Sequence, residues 1–252
     1  MLDNAKLAEE LTASLRLTQP PIAVSFSDAA PAGIPDYDGV APAGCFFWQE
    51  AARRTFVTSS KDHAFCAIGI YTHHLAEPGS NYAAELGEAL AAMNNLNYVR
   101  PSEVAALPVI KEAMRHVIYG PLAAFPLSPA VVILFAHAQQ SLILTEAITR
   151  IDHGIPPAMG RPACAMIPRV VNHGNAAMSL GCCGARAYLD SLTDDIAMWA
   201  LPGGKIEEYS AEIAGLARAN KILTTFHLRR RKDVEAGKQP TIKESLARLA
   251  QG

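Results

Sequence analysis

The chain has 252 residues, half of them hydrophobic, which is enough to build a sizeable core in one large domain or two small ones. Charged residues make up 18% of it and the formal net charge is -2, so the charge balance gives no reason to expect nucleic acid or an anionic membrane as a partner. The one basic run, at positions 229–232, is most simply a solvated helix face or tail.

The N-terminal residues predict a cytoplasmic protein. Acidic residues occur where a secretory signal needs a basic and then an apolar run. The longest apolar stretch, around residues 131–136, falls short of the ~20 residues that a membrane helix needs. In a reducing compartment, the five cysteines are expected as free thiols or metal ligands rather than disulfides.

In chain order, the first half of the sequence predicts helices with short strands between them. Apolar residues at helical spacing predict a helix over 3–17, and the prolines that follow separate it from a strand over 22–26. A loop rich in Pro and Gly over 27–44 leads to Cys45, where another helix starts. Further predictions are a strand at 55–58, helices at 63–75 and 83–93, and a partly helical connection at 101–114.

The second half alternates between strands and helices. Strands are predicted over 117–120, 130–135, 176–180 and 196–201, and helices over 139–150, 163–171 and 205–218. This alternation predicts an α/β (or α+β) fold, with a mixed β-sheet flanked by helices in a single compact domain. Residues 219–252 are expected to be a helical C-terminal extension of that domain.

The cysteines lie in short contexts marked by glycine or proline and spread along the sequence. Cys45 follows Gly44, Cys66 precedes Gly69 by three residues, Cys164 follows a proline, and Cys182 and Cys183 lie between two glycines. Thiolates are preferred ligands of soft metals and iron-sulfur clusters, and glycine lets backbone N–H groups approach sulfur closely. We therefore expect one cysteine-lined site assembled from distant segments.

Several of these elements together resemble a known family. They are the Pro-Pro-Ile-Ala-Val-Ser-Phe segment at 20–26, the four cysteine contexts, and above all Leu-Gly-Cys-Cys-Gly-Ala-Arg at 180–186 followed by Tyr188. In these features the chain resembles the uncharacterised ArCR family, also called domain of unknown function 169. The resemblance implies that Cys182 is the family's cysteine and that Cys183 fills a variable position, and it implies no activity.

Four sulfurs are the number that a [4Fe-4S] or [2Fe-2S] cluster or a structural zinc ion requires. We predict Cys45, Cys66, Cys164 and Cys182 as ligands of an iron-sulfur cluster, with [4Fe-4S] favoured and zinc as the alternative. The compact Cys-x-x-Cys pairs of zinc fingers and ferredoxins are absent, so the ligands must be brought together by a folded domain. Packing of the cysteines as small hydrophobes is the competing interpretation.

Other residues are candidates for chemistry beside the sulfurs. Cys183 is a fifth thiol, and Arg186 is suited to lower a thiolate pKa or to hold an anion, so both are predicted as catalytic. His73 and His74 are weaker candidates for a ligand or a proton donor. On a helix, Cys66 and His73 stand about 10 Å apart, so they can line one pocket but cannot chelate one ion.

The functional hypothesis is a cytoplasmic iron-sulfur protein that carries out electron transfer or reductive chemistry on a small molecule. Whether it is an enzyme stays open; an enzyme of this kind would be an iron-sulfur oxidoreductase. The alternatives are a non-catalytic protein that binds or senses a metal or cofactor, and a metal-free thiol enzyme. The expected partner is a small-molecule substrate or a redox protein, without nucleic acid or membrane, and a homo-oligomer is compatible with the sequence.

Overall fold

A seven-stranded sheet forms the centre of the protein, seen in a computed structural model that describes residues 3–75 and 81–247. The strands are β1 (Ile22–Ser27), β2 (Phe56–Ser59), β3 (His116–Pro121), β4 (Val131–His137), β5 (Ala158–Met159), β6 (Ala177–Ser179) and β7 (Ile196–Pro202). Their order across the sheet is β2-β3-β1-β4-β7-β6-β5. All neighbours are antiparallel except β5 and β6, which are parallel, so the predicted mixed sheet is confirmed.

Helices cover both faces of this sheet, as predicted. They are α1 (Asn4–Leu15), α2 (Phe46–Ala51), α3 (Ala67–His73), α4 (Tyr82–Asn95), α5 (Pro101–Ala105), α6 (Ala138–Ile151), α7 (Met166–His173), α8 (Cys183–Tyr188), α9 (Ile206–Glu235) and α10 (Ile242–Ala247).

The alternation of side chains along β4 divides the core into two layers. Ile133 and Phe135 belong to one apolar cluster, and Val132 and Leu134 belong to the other, because successive residues of a strand point to opposite faces. The second cluster is filled by apolar residues of α1, α6 and α9. The first cluster contains Phe47 of α2, packed with apolar residues of α3 and α7, and it also contains Cys45, so we call it the cysteine face.

The helix predicted over 63–75 begins later than the sequence suggested. A 3-10 turn occupies Ser60–His63, because Asp62 accepts hydrogen bonds from both the backbone N–H (2.8 Å) and the hydroxyl (3.0 Å) of Ser59. The α-helix α3 starts at Ala67 and leaves Cys66 at its N-cap rather than inside the helix. This shift matters for the site, because an N-cap side chain lies beside free backbone N–H groups.

The last long helix, α9, is much longer than its prediction over 205–218. It continues without a break from Ile206 to Glu235, and α10 follows. Position 219, where the C-terminal extension was expected to begin, therefore falls inside a continuous helix, and the division of the chain there stays a prediction. Among residues 3–75 and 81–247, no helix is both long enough and apolar enough to cross a bilayer.

Candidate functional site

A cavity of about 670 Å³ lies against the cysteine face, and all five cysteines contribute to its lining. They come from separate parts of the chain. Cys164 follows β5 and Cys182 follows β6, the two parallel strands, while Cys45 and Cys66 come from the segments before α2 and α3. The predicted convergence of distant cysteines on one cavity is therefore what the fold produces.

Three of these cysteines are N-cap residues of short helices. Cys45 precedes α2, Cys66 precedes α3 and Cys182 precedes α8. At Cys182 the backbone N–H of Ala185 donates to Sγ at 3.5 Å. The next residue, Cys183, is already the first residue of α8.

Cys66 shows why glycine accompanies the cysteines. Burial raises the pKa of its thiol, and the nearby backbone of Gly44 and Gly69 acts in the opposite direction. A Cβ atom at Gly69 would lie 3.0 Å from Cys66 Sγ, and one at Gly44 would lie 3.6 Å from it. A side chain at Gly69 would therefore crowd the sulfur, and glycine at this position permits the close approach of backbone that the sequence suggested.

The four predicted ligands are electrostatically coupled to one another. Burial raises the pKa of Cys45 to about 12, with smaller contributions from Cys66 and Cys182. Burial also raises the pKa of Cys164 well above its ordinary value, with contributions from the other three thiols. Because Cys182 acts on Cys66 as well, every pair within the set of four interacts.

A buried histidine lies beside Cys66. The Oγ1 atom of Thr58 donates to the carbonyl of Val117 (3.2 Å) and lies 3.3 Å from Nε2 of His63. Since the single hydroxyl proton is used on the carbonyl, Nε2–H of His63 is the donor to Thr58, and Nδ1 carries the free lone pair. That Nδ1 is buried, has no partner among the described residues, and would lie 3.3 Å from a Cβ at Gly69.

Two further buried polar groups on this face also lack partners among the described residues. His73 donates from Nδ1 to the carbonyl of Gly69 (2.9 Å), which leaves its Nε2 as an unpaired acceptor. The hydroxyl of Tyr119 is likewise unpaired, and its pKa is raised by burial and then by Cys164, Cys66 and Cys45. Unpaired buried polar groups are uncommon in folded proteins, and those of His63, His73 and Tyr119 lie on the cysteine face.

The arrangement does not form a ready-made site for a single ion. Within residues 3–75 and 81–247, no three His, Cys, Asp or Glu side chains are grouped so that they could hold one metal ion. A cluster places fewer demands on the sulfurs, because each thiolate binds a different iron atom and the ligands stand further apart than around one ion. The donor set of two buried and two partly buried thiols therefore fits a cluster better than it fits zinc.

A model of the family described as uncharacterised ArCR, domain of unknown function 169, matches residues 10–212, which is more than half of the chain. The chain belongs to this family. The match extends over all seven strands and all five cysteines, so the sheet and the cysteine cavity are both within the part that defines the ArCR family. No curated protein and no solved structure matches the chain.

The other predicted site residues of this ArCR protein occupy different positions. Cys183 is exposed and lines the cavity. Arg186 is directed away from the sulfurs: its guanidinium donates to the carbonyls of Leu180 and Thr193, among others, and so ties down the segments that flank α8. The catalytic roles of both residues stay predictions.

The two predicted histidines differ in their surroundings. His73 is buried against Phe26 and His63, and His74 binds the carbonyl of Ile110 (2.9 Å) through Nδ1. In contrast, His63 and Arg169 were not singled out from the sequence. In the sequence, His63 is an ordinary residue at a predicted helix start, and Arg169 lies in a predicted helix without a motif. Only the folded chain shows that His63 approaches Cys66 and that Arg169 lines the cavity.

Proposed function

We propose that the protein binds an iron-sulfur cluster of the [4Fe-4S] type through Cys45, Cys66, Cys164 and Cys182, and that it uses the cluster for electron transfer to a small molecule. The observation that carries this proposal is the convergence of these four thiols, two buried and two partly buried, on one cavity, where they interact electrostatically with one another. Four thiols in an apolar setting disfavour one another as thiolates, and a positively charged iron core is the kind of partner that reverses this.

The surroundings support the same conclusion. Phe47 and Trp48 are fully buried beside Cys45, as expected of an apolar shield that limits the access of water and so tunes a cluster potential. The backbone N–H of Ala185 donates to Cys182 Sγ, and a hydrogen bond to a ligand sulfur also tunes the potential. When bound, the cluster would supply one-electron redox chemistry, and the residues named here would hold it and exclude water.

The cavity favours reductive chemistry over a purely structural or sensing role. A closed site would leave no room beside the cluster, whereas the cavity extends from the sulfurs to α4 and α5 and has the volume of a small-molecule site. We therefore propose a cytoplasmic iron-sulfur oxidoreductase as the function. Non-catalytic binding remains the alternative that the experiment below must separate from it.

The test is anaerobic purification followed by iron, sulfide and zinc analysis and an absorption spectrum. We expect iron and sulfide in equal amounts, about four of each per chain. Replacing any one of Cys45, Cys66, Cys164 and Cys182 by serine should remove at least half of the iron and the visible absorption. Cys183→Ser is the matched control, since its neighbour is a proposed ligand, and it should retain both.

Colourless, iron-free protein, or a Cys182→Ser variant that keeps the spectrum of the wild type, would contradict the proposal. Zinc in place of iron would favour a structural metal site. A metal-free protein in which Cys183 alone reacts rapidly with an alkylating reagent would instead favour the thiol enzyme, because Cys183 is the exposed thiol of the cavity.

A further inference from the structure

The wall of the cavity opposite the sulfurs is apolar and loosely covered. Its outer part is α4, where Leu86, Leu90 and Met93 recur at helical spacing and line the cavity. These three side chains are only half-buried, and no residue of α4 is fully buried. The apolar stripe of α4 therefore faces space that another apolar body can fill.

One positive charge at this cavity lacks a counter-charge. Arg169 of α7 lines the cavity and is mostly buried, and its Nε is shielded from solvent. It forms no hydrogen bond or ion pair with any other residue in the described part of the chain. A donor nitrogen that is shielded from water without a partner is unfavourable, so an anion that accepts from this guanidinium would relieve the cost.

The other charged side chains of the cavity are already accounted for. Arg161 pairs with Glu103 at 2.8 Å and stacks over the ring of Tyr98 at 4.9 Å. Glu85 of α4 is exposed and faces solvent at the rim. Once these groups are set aside, Arg169 is the one partly buried charged side chain without a counter-charge among the described residues that line the cavity.

We infer that the cavity binds a small organic carboxylate with an apolar body, its carboxylate on Arg169 and its apolar part against the stripe of α4. A planar guanidinium pairs with a carboxylate through two parallel hydrogen bonds. A carboxylate carries one negative charge, which one guanidinium neutralises. A phosphate dianion carries a second negative charge, and no unpaired cation among the described residues of the cavity neutralises it. The inference rests on the proposed function in one respect, which is that the carboxylate is the substrate reduced beside the cluster. The binding of the carboxylate is measured separately from the presence of the cluster.

The test uses two probes of nearly equal shape, 4-phenylbutyrate and its neutral amide, titrated calorimetrically into anaerobically purified protein. We expect the acid to bind roughly tenfold or more tightly than the amide, which is the effect of charge-assisted hydrogen bonds. Arg169→Gln should reduce this ratio to about one while leaving the affinity for the amide unchanged. Arg169→Lys should keep part of the preference, because it retains the charge but not the planar fork.

Two controls locate the effect. Arg229→Gln removes an exposed arginine far along α9 and should bind both probes as the wild type does. Leu90→Ala shortens the apolar stripe and should weaken both probes by a similar factor. Circular dichroism of each variant shows whether it is folded. If a variant does not fold, the comparison of the acid with the amide in the wild type still tests the inference.

The inference is overturned if the wild type binds both probes equally or binds neither, or if Arg169→Gln keeps the preference for the acid. It is also overturned if Arg169→Gln changes the cluster spectrum but not the ratio, because Arg169 would then be a counter-charge of the cluster. Iron-free protein that still prefers the acid through Arg169 would contradict the proposed function and leave this inference standing.

Discussion

At the scale of single residues, the contact between two glycines and Cys66 determines where that sulfur lies. The backbone of both Gly44 and Gly69 lies close to it, and a Cβ atom at Gly69 would lie 3.0 Å from it. Burial favours the neutral thiol of Cys66, and the backbone of these two glycines acts in the opposite direction on its pKa. The position of Cys66 in the ligand set therefore depends on residues that carry no side chain.

We predict that Gly69→Ala lowers the iron content of purified protein by half or more. The new Cβ would lie 3.0 Å from Cys66 Sγ, which must rotate away from the other sulfurs. Iron analysis per chain is the measurement. Gly87→Ala is the control, because that glycine of α4 meets open space, and it should keep the iron while raising the free energy of unfolding by about 0.5–1 kcal/mol. Equal iron content in both variants would contradict the assignment.

At the scale of elements, most of the secondary structure could be predicted from the spacing of apolar residues, because this spacing shows which side of a helix or strand is buried. The runs that became β3, β4 and β7 are buried on both faces, and the stripe of α6 faces the core. The start of α3 was placed wrongly, since Ser59 and Asp62 form a capping box around a 3-10 turn instead of a helix. The continuity of α9 was not predicted: residues 205–218 were assigned to one helix and 219–252 to a helical extension, because the helix buries little after Leu216 and the apolar pattern weakens there.

The junction between β7 and α9 gives the sharpest prediction at this scale. A Cβ at Gly203 would lie 1.7 Å from the carbonyl oxygen of Pro129, which belongs to the backbone before β4 and cannot rotate away. Gly203→Ala should therefore lower the free energy of unfolding by about 3 kcal/mol through overpacking. Urea denaturation is the measurement.

Gly204→Ala is the matched control for that change. The neighbouring glycine has nothing within 4 Å of the position of its Cβ, so its substitution should change the free energy of unfolding by less than about 0.5 kcal/mol. A similar loss of stability in both variants would show that the close packing of β7 on the start of β4 is not what requires glycine at position 203.

At the scale of the whole molecule, the candidate site is where sequence reasoning was both strongest and most limited. The identity of the thiols followed from their glycine contexts, and the structure brings them to one cavity. The unpaired nitrogen of His63, the hydroxyl of Tyr119 and the solitary charge of Arg169 could not be predicted. Their importance comes from what surrounds them after folding, and no local pattern records that.

The buried histidines make the stability of the whole protein depend on pH. Burial lowers the pKa of His73 from 6.5 to about 4, and burial also lowers the pKa of His63. Between these pH values the unfolded chain binds a proton at position 73 that the folded protein does not accept. Stability should therefore fall as the pH drops from about 6.5 towards 4, by up to about 3 kcal/mol for His73 alone.

Urea denaturation at pH 7 and pH 5 measures this effect. The wild type should lose stability at the lower pH, and His73→Gln should lose clearly less, because one of the two buried histidines no longer titrates. His173→Gln, which changes an exposed histidine of α7, should follow the wild type. A wild-type stability that is the same at both pH values would refute the argument.

The dispersal of the ligand segments between α2 and α8 has a consequence for biogenesis. Cys45 leaves the ribosome long before Cys182, and no short peptide contains a complete set of donors. If the proposed cluster is bound, the apoprotein would therefore acquire its tertiary structure first and receive iron and sulfide afterwards. The fold would then exist before the cluster is bound. In a zinc finger, by contrast, the chain folds only when its metal is bound.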